Sequence, residues 1–313
     1  MQVQLTRDMV RAGFSHDEIA ARVRRGELVR LRRGAYSSGW ESGRVDRHLQ
    51  LMAGTMPLLD TDAVLSHFSA AVLHGLAVPA STLTRVWVTR SSAGGGKLSP
   101  QLHVLKAPLR PEDITVADGY VTTSLARTVV DLARHAPPEY GLAAADLALR
   151  RGLPRESLEE QIDRWPRRPG NRRARYVVER ADGRSESFGE SWSRLVMCQL
   201  GIPLPTLQVN LTVGGSNYRS DFGWLDLGLL GEFDGRIKYA ELLRPGQTAA
   251  DVVMEEKGRQ EDLLSFGWHM VRWGSRELSS PPTFGRRLEL ARKHAAERMT
   301  PAKLEALRRT LRA

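Results

Sequence analysis

One cysteine, Cys198, stands in a chain of 313 residues. A single thiol excludes an internal disulfide and any cysteine-based zinc site, so the chain is expected in a reducing cytoplasm. Cys198 sits among Leu195, Val196 and Leu200, where a small buried hydrophobe is a better reading than a nucleophile. Long apolar runs are missing too. No stretch approaches the roughly 20 residues that a membrane helix needs, so no membrane association is expected. The N-terminus carries no basic segment followed by an apolar one, so no secretory signal is expected. Internal repeats and low-complexity tracts are also missing. Lysine is scarce: Lys97, Lys106, Lys238, Lys257, Lys293 and Lys303 are the only ones among 46 basic side chains.

What is abundant is arginine. The net charge is +10 and the isoelectric point lies near 10.2. Guanidinium groups bind phosphate in pairs of hydrogen bonds and never titrate away near neutral pH. A basic chain of this size points to a polyanionic partner, and DNA is the expected one.

Length alone favours two or three domains, and the order of elements favours an α/β multidomain fold. Residues 1–44 read as two short helices and a hairpin. Gly13 ends the first helix, and Ser15 opens the second with Glu18 completing a capping box. The segment from Leu28 to Tyr36 alternates apolar and basic residues around Gly34, as a two-stranded wing would. Residues 45–160 read as an α/β middle region, with strands near Arg85–Thr89 and Leu102–Lys106 and a periodic helix from Ser124 to Arg134. Residues 161–185 read as a basic linker around Pro166, Pro169 and Gly170. Residues 186–279 run helix, three strands, helix, strand. Ser187 to Leu200 stops at Gly201, Gly214-Gly215-Ser216-Asn217 turns between the first two strands, and Val252 to Phe266 stops at Gly267. Residues 280–313 form a basic helical tail.

Two tempting motifs fail. Gly94-Gly95-Gly96-Lys97 is followed by Leu98, where a phosphate-binding loop needs Ser or Thr, so a hairpin loop is expected. His67 and His74 lack a third ligand, which favours packing or capping roles.

The chemistry concentrates late in the chain. Alternation along Leu230 to Asp234 puts Glu232 and Asp234 on one face, and Asp221 lies on the preceding strand. Converging carboxylates repel one another, and a hard divalent cation such as Mg2+ relieves the repulsion. Asp221 and Glu232 are the expected ligands, with Asp234 and Glu190 assisting.

The texts Arg219-Ser220-Asp221-Phe222, Glu232-Phe233-Asp234-Gly235 and Gly267-Trp268-His269-Met270-Val271-Arg272-Trp273 resemble the PD-(D/E)XK nucleases, in particular the branch akin to very-short-patch-repair endonucleases. The resemblance spans about 186–278. It implies a mixed sheet flanked by helices and a Mg2+-dependent endonuclease. The superfamily places a lysine where this chain has Asp234; Lys238 and Lys257 are the candidates to replace it.

The front of the chain resembles antitoxins of the AbiEi type. The resemblance rests on the helix–helix–hairpin order, on Ser69 to Leu76 and on Thr123 to Leu132, and covers about residues 4–135. It implies a winged helix that binds operator DNA, with Arg22, Arg24 and Arg25 on the recognition helix and Arg30, Arg32 and Arg33 on the wing. It also implies a nucleotidyltransferase-like toxin as partner. The alternative to an endonuclease is thus a non-enzymatic antitoxin that represses its own operon.

Overall fold

The computed structural model describes residues 3–91, 96–235 and 249–312, without the side chains of 249–253 and 255–257. The chain is an α/β protein with three sheets, and it divides into two compact units, Met1–Arg180 and Ala181–Ala313. Among the described residues no helix is long and apolar enough to cross a membrane.

The first unit opens on a strand, β1 (Val3–Leu5), that the sequence reading did not foresee. Helices α1 (Thr6–Arg11) and α2 (His16–Arg24) follow, then the hairpin β2 (Val29–Arg32) and β3 (Ala35–Ser37). The Ser15–Glu18 capping box forms as expected, because both of its hydrogen bonds are local to the turn. The three strands pair antiparallel in the order β1-β3-β2, and Met9, Ile19 and Leu28 close a small core beneath them.

A six-stranded sheet follows within the same unit, made of β4 (Val64–Leu65), β5 (Val86–Arg90), β6 (Lys97–Leu98), β7 (Leu102–Lys106), β8 (Ile114–Ala117) and β9 (Tyr120–Thr123) in the order β6-β7-β5-β4-β9-β8. Strands β5 and β7 are neighbours but run parallel, while β6 makes the antiparallel turn onto β7. Of the glycine loop, 94–95 lie outside the described residues. Helix α3 (Arg44–Ala53) packs Leu51 and Met52 against Leu65, Val86 and Val88 of this sheet, and α4 (His67–Leu73), α5 (Leu125–His135) and α6 (Pro138–Arg150) bury further faces.

The stretch expected to be a linker is built differently. It holds the end of helix α7 (Arg155–Asp163) and all of α8 (Asn171–Arg180), which buries Ala174, Val177 and Val178. The spacing of these three residues is helical, but the surrounding arginines obscure it in the sequence. A buried charge network fastens the region. Arg127 contacts Asp131 at 2.8 Å and Asp113 at 3.3 Å, Arg134 contacts Asp131 at 3.2 Å, and Arg164 reaches Asp113 at 3.1 Å. Arg134 also donates to Asn171 Oδ1 at 2.9 Å, which ties α5 to the start of α8.

The second unit is organised by one mixed sheet in the order β10-β11-β12-β13. Its strands are β10 (Thr206–Val213), β11 (Ser216–Trp224), β12 (Leu229–Asp234) and β13 (His269–Gly274). The first three pair antiparallel, and β13 pairs parallel to β12 after the crossover through α10 (Ala249–Phe266). Helix α9 (Phe188–Gln199) precedes the sheet, with Trp273, Phe222 and Phe284 in its main core. The basic tail is part of this unit. Helix α12 (Pro281–Arg298) buries Phe284, Leu288 and Ala295, and α13 (Pro301–Arg308) sends Leu307 into a second core with Leu263 and Trp268.

Candidate active site

Helix α9 begins where the second unit's acids meet. Ser187 caps it, its Oγ accepting the Glu190 N–H at 3.1 Å. Glu190 turns back, and its Oε2 accepts the Glu186 N–H at 2.9 Å and the Gln208 side-chain amide at 2.8 Å. The carboxylate is thus buried at the head of the helix, where the positive end of the helix dipole favours it. Gly189, one residue earlier, lets the Phe233 ring lie against the helix: a Cβ there would sit 1.9 Å from Cε1 of that ring.

Gln208 reaches Glu190 from the middle of β10, where its φ of +53° is left-handed. A non-glycine residue rarely adopts this conformation inside a strand, and such outliers gather at functional sites.

Asp221 projects from β11, and its Oδ2 accepts the Phe233 N–H at 3.0 Å. Burial pushes its pKa up to about 6. The Phe233 hydrogen bond opposes this rise, the charges of Glu190 and Glu232 add to it, and Arg219 opposes it again. The charges of Glu190 and Glu232 thus both act on Asp221. Glu232, on β12, is almost buried and is compensated by arginine. Its Oε2 lies 2.8 Å from Nη2 of Arg272, and its Oε1 contacts Nη2 of Arg259 on α10. Arg259 also donates to the Arg219 carbonyl at 3.2 Å, and Arg219 grips Glu186 with two hydrogen bonds of 2.8 and 3.0 Å.

The remaining expected residues fare differently. Asp234 lies at the exposed end of β12, in register with Gly274. Lys238 and the Lys257 side chain lie outside the described residues. The described cations on Glu232 are arginines instead, and among the described residues no three Asp, Glu, His or Cys side chains gather closely enough to hold a metal ion.

In the first unit, Arg24, Arg30 and Arg33 are exposed. Arg22 and Arg25 both pair with Glu27, and Arg32 is half-buried, so that desolvation lowers its pKa. Of the six expected arginines, Arg24, Arg30 and Arg33 are thus the ones that are exposed without an ion pair to Glu27.

Sequence reading missed Gln208 and Arg259. Gln208 sits in an apolar alternation that gives no sign of a twist, and Arg259 is one arginine among many on an amphipathic helix. It also missed the fit of Phe233 over Gly189.

No family model matches the chain. It is 27% identical over 267 residues to "Uncharacterized protein Rv2248" of Mycobacterium tuberculosis strain H37Rv. The same figures hold for "Uncharacterized protein MT2308" of strain CDC 1551 / Oshkosh, and each alignment covers 80% of this chain and 95% of the relative. The similarity spans nearly the whole relative, so these proteins resemble the chain along their length and not in one segment alone.

Proposed function

We propose that this protein acts on DNA, its second unit serving as an endonuclease of the PD-(D/E)XK kind and its first unit, with the winged-helix arrangement of AbiEi-type antitoxins, as a DNA-binding module. The observation that carries the reading is Asp221, half-buried, with its pKa raised to about 6 by burial and by the charges of Glu190 and Glu232, while arginines hold Glu232 and Glu186. Structural ion pairs are normally arranged to favour the charged carboxylate. This one is disfavoured, a pattern typical of sites built for chemistry.

Asp221 and Glu232 would hold Mg2+. The donor set fits, since both are carboxylates and Mg2+ commonly takes only one or two protein carboxylates, completing its shell with water and substrate phosphate. Bound there, the cation supplies an acidified water and a polarised phosphodiester. The chain's own contribution is positional. The Phe233 N–H fixes Asp221 Oδ2 and so orients the carboxylate toward the cluster. Arg259 and Arg272 set two guanidinium forks beside the acids, matched to the paired oxygens of a phosphodiester. Glu190 is held in place by the Gln208 amide and the Glu186 N–H.

The test is cation binding. Mn2+ titrated into the wild type by electron paramagnetic resonance should bind with a defined stoichiometry, and Asp221→Ala should abolish that binding. Equal Mn2+ uptake by both proteins would remove Asp221 from the site.

A second reading rests on the same geometry. Both Glu232 oxygens already meet arginines, as in a scaffold that no longer cleaves. The protein would then be a non-enzymatic antitoxin and autorepressor with a nucleotidyltransferase-like toxin as partner. It would bind a defined operator with steep salt dependence and leave it intact. A cytoplasmic location belongs to either reading.

A further inference from the structure

Strand β13 is the edge of the second unit's sheet, and a pocket of 390 Å³ opens beside it. Gln260 of α10, Met270 and Arg272 of β13, and Arg287, Leu290 and His294 of α12 line it. The three α12 residues are spaced three and four apart, so they share one helical face. That helix buries its other large apolar side chains, Phe284 and Leu288, yet leaves Leu290 54% exposed at the pocket wall. Among the described residues the lining combines basic and apolar side chains, and none of them is acidic. Arg272 is also the residue that meets Glu232 at 2.8 Å, so the pocket and the acid cluster share a wall.

We infer that this pocket seats one nucleotide of a DNA strand beside the acid cluster, which rests on the reading of that cluster as a DNA-cleaving site. The volume lies at the lower end of the range for small-molecule sites, which suits a single nucleotide. The base or sugar packs on Leu290 and Met270. Its phosphate faces Arg287 and His294, and Gln260 offers an amide for a base edge or a phosphate oxygen. Arg287 holds Glu277 at 3.0 Å, but its side chain is half-exposed, and such pairs exchange readily for a phosphate. The charge selects an anion, and the apolar wall selects one that carries a ring.

The experiment uses the full chain with 13C-labelled methionine methyl groups, titrated with dTMP, thymidine and inorganic phosphate and followed by NMR. The Met270 resonance, assigned by its loss in Met270→Leu, should shift saturably with dTMP and much less with thymidine or phosphate alone. Leu290→Glu, which replaces an exposed side chain and should leave the melting temperature unchanged, should abolish the shift. It should also weaken binding of a labelled single-stranded oligonucleotide by about tenfold, because it removes the apolar contact and sets a carboxylate against the strand's phosphates. A Met270 methyl that ignores dTMP, or Leu290→Glu protein that binds dTMP and oligonucleotide as the wild type does, overturns the pocket. DNA cleavage that persists beside an unresponsive Met270 sinks the pocket and spares the active-site reading. A dTMP response in a protein that never cuts DNA does the reverse.

Discussion

Glu232 and Arg272 occupy paired positions on the parallel strands β12 and β13, and their side chains meet at 2.8 Å. Arg259 takes the other carboxylate oxygen from α10. One almost buried acid therefore meets two guanidinium groups, whereas burial and the charges of Glu190 and Glu232 hold the pKa of Asp221 up. The two acids should respond in opposite ways to neutralisation. Glu232→Gln leaves two cations facing one neutral amide and should lower metal-free stability by about 1–3 kcal/mol, the cost of removing a charged partner from a buried hydrogen bond. Urea unfolding at pH 7.5 in EDTA reads this directly, and an unchanged midpoint would count against the arginine clamp.

Asp221 should behave in the other sense. Its folded pKa of about 6 lies above the ordinary carboxylate value of 3.8, so the folded state resists losing this proton. The stability penalty therefore begins as pH rises past 3.8 and is complete above about 6. Asp221→Asn removes it and can still accept the Phe233 N–H. In EDTA at pH 7.5 the variant should gain about 1–3 kcal/mol, and the gain should vanish near pH 4. A loss at pH 7.5 would mean that the carboxylate is a structural anchor.

His67 gives the first unit its own acid limb. The residue is fully buried at the start of helix His67–Leu73 with φ at +50°. Burial drives its pKa down to about 3; Asp131 opposes the shift, while His135, Arg127 and Arg168 reinforce it. The unfolded chain takes up this proton near pH 6.5 and the folded one does not, so stability falls as pH drops from 6.5 towards 3. The loss should reach about 3 kcal/mol by pH 4. His67→Asn, which tolerates positive φ, should remove that part of the slope. Identical acid limbs in the two proteins would contradict the assignment.

Arg127 holds Asp113 and Asp131 with no solvent contact. Arg127→Met would strip both acids of their main cation, which typically costs about 3–5 kcal/mol in a buried network. Circular dichroism melting should show a first unit that unfolds well before the second, or a protein that fails to accumulate. A near-neutral effect would show that Arg134 and Arg164 suffice alone.

Local rules made much of this legible. The Ser15–Glu18 box, the Ser187 cap and the helices ended by Gly201 and Gly267 depend on residues within one turn, and all stand close to where the sequence puts them. The strands around Asp221 and Glu232 were equally readable, because their apolar alternation is intact and the Gly214–Gly215 turn separates the first two. What the sequence concealed depends on packing between distant segments. Arg259 acquires its role only when α10 settles over the sheet, and Gln208 only through a backbone twist with no sequence marker. Val177 and Val178 were hidden by arginines that face solvent on the same helix. Asp234 shares a strand face with Glu232 by periodicity, yet the strand ends there and leaves it exposed.

The most direct measurement is nicking of supercoiled plasmid by the full chain in Mg2+ or Mn2+, beside Asp221→Asn, Glu232→Gln and an EDTA control. Cation-dependent nicking by the wild type, reduced at least a hundredfold in both variants while their folds persist, is the expected result. Intact plasmid throughout, or equal nicking by all three proteins, would contradict an endonuclease built on Asp221 and Glu232.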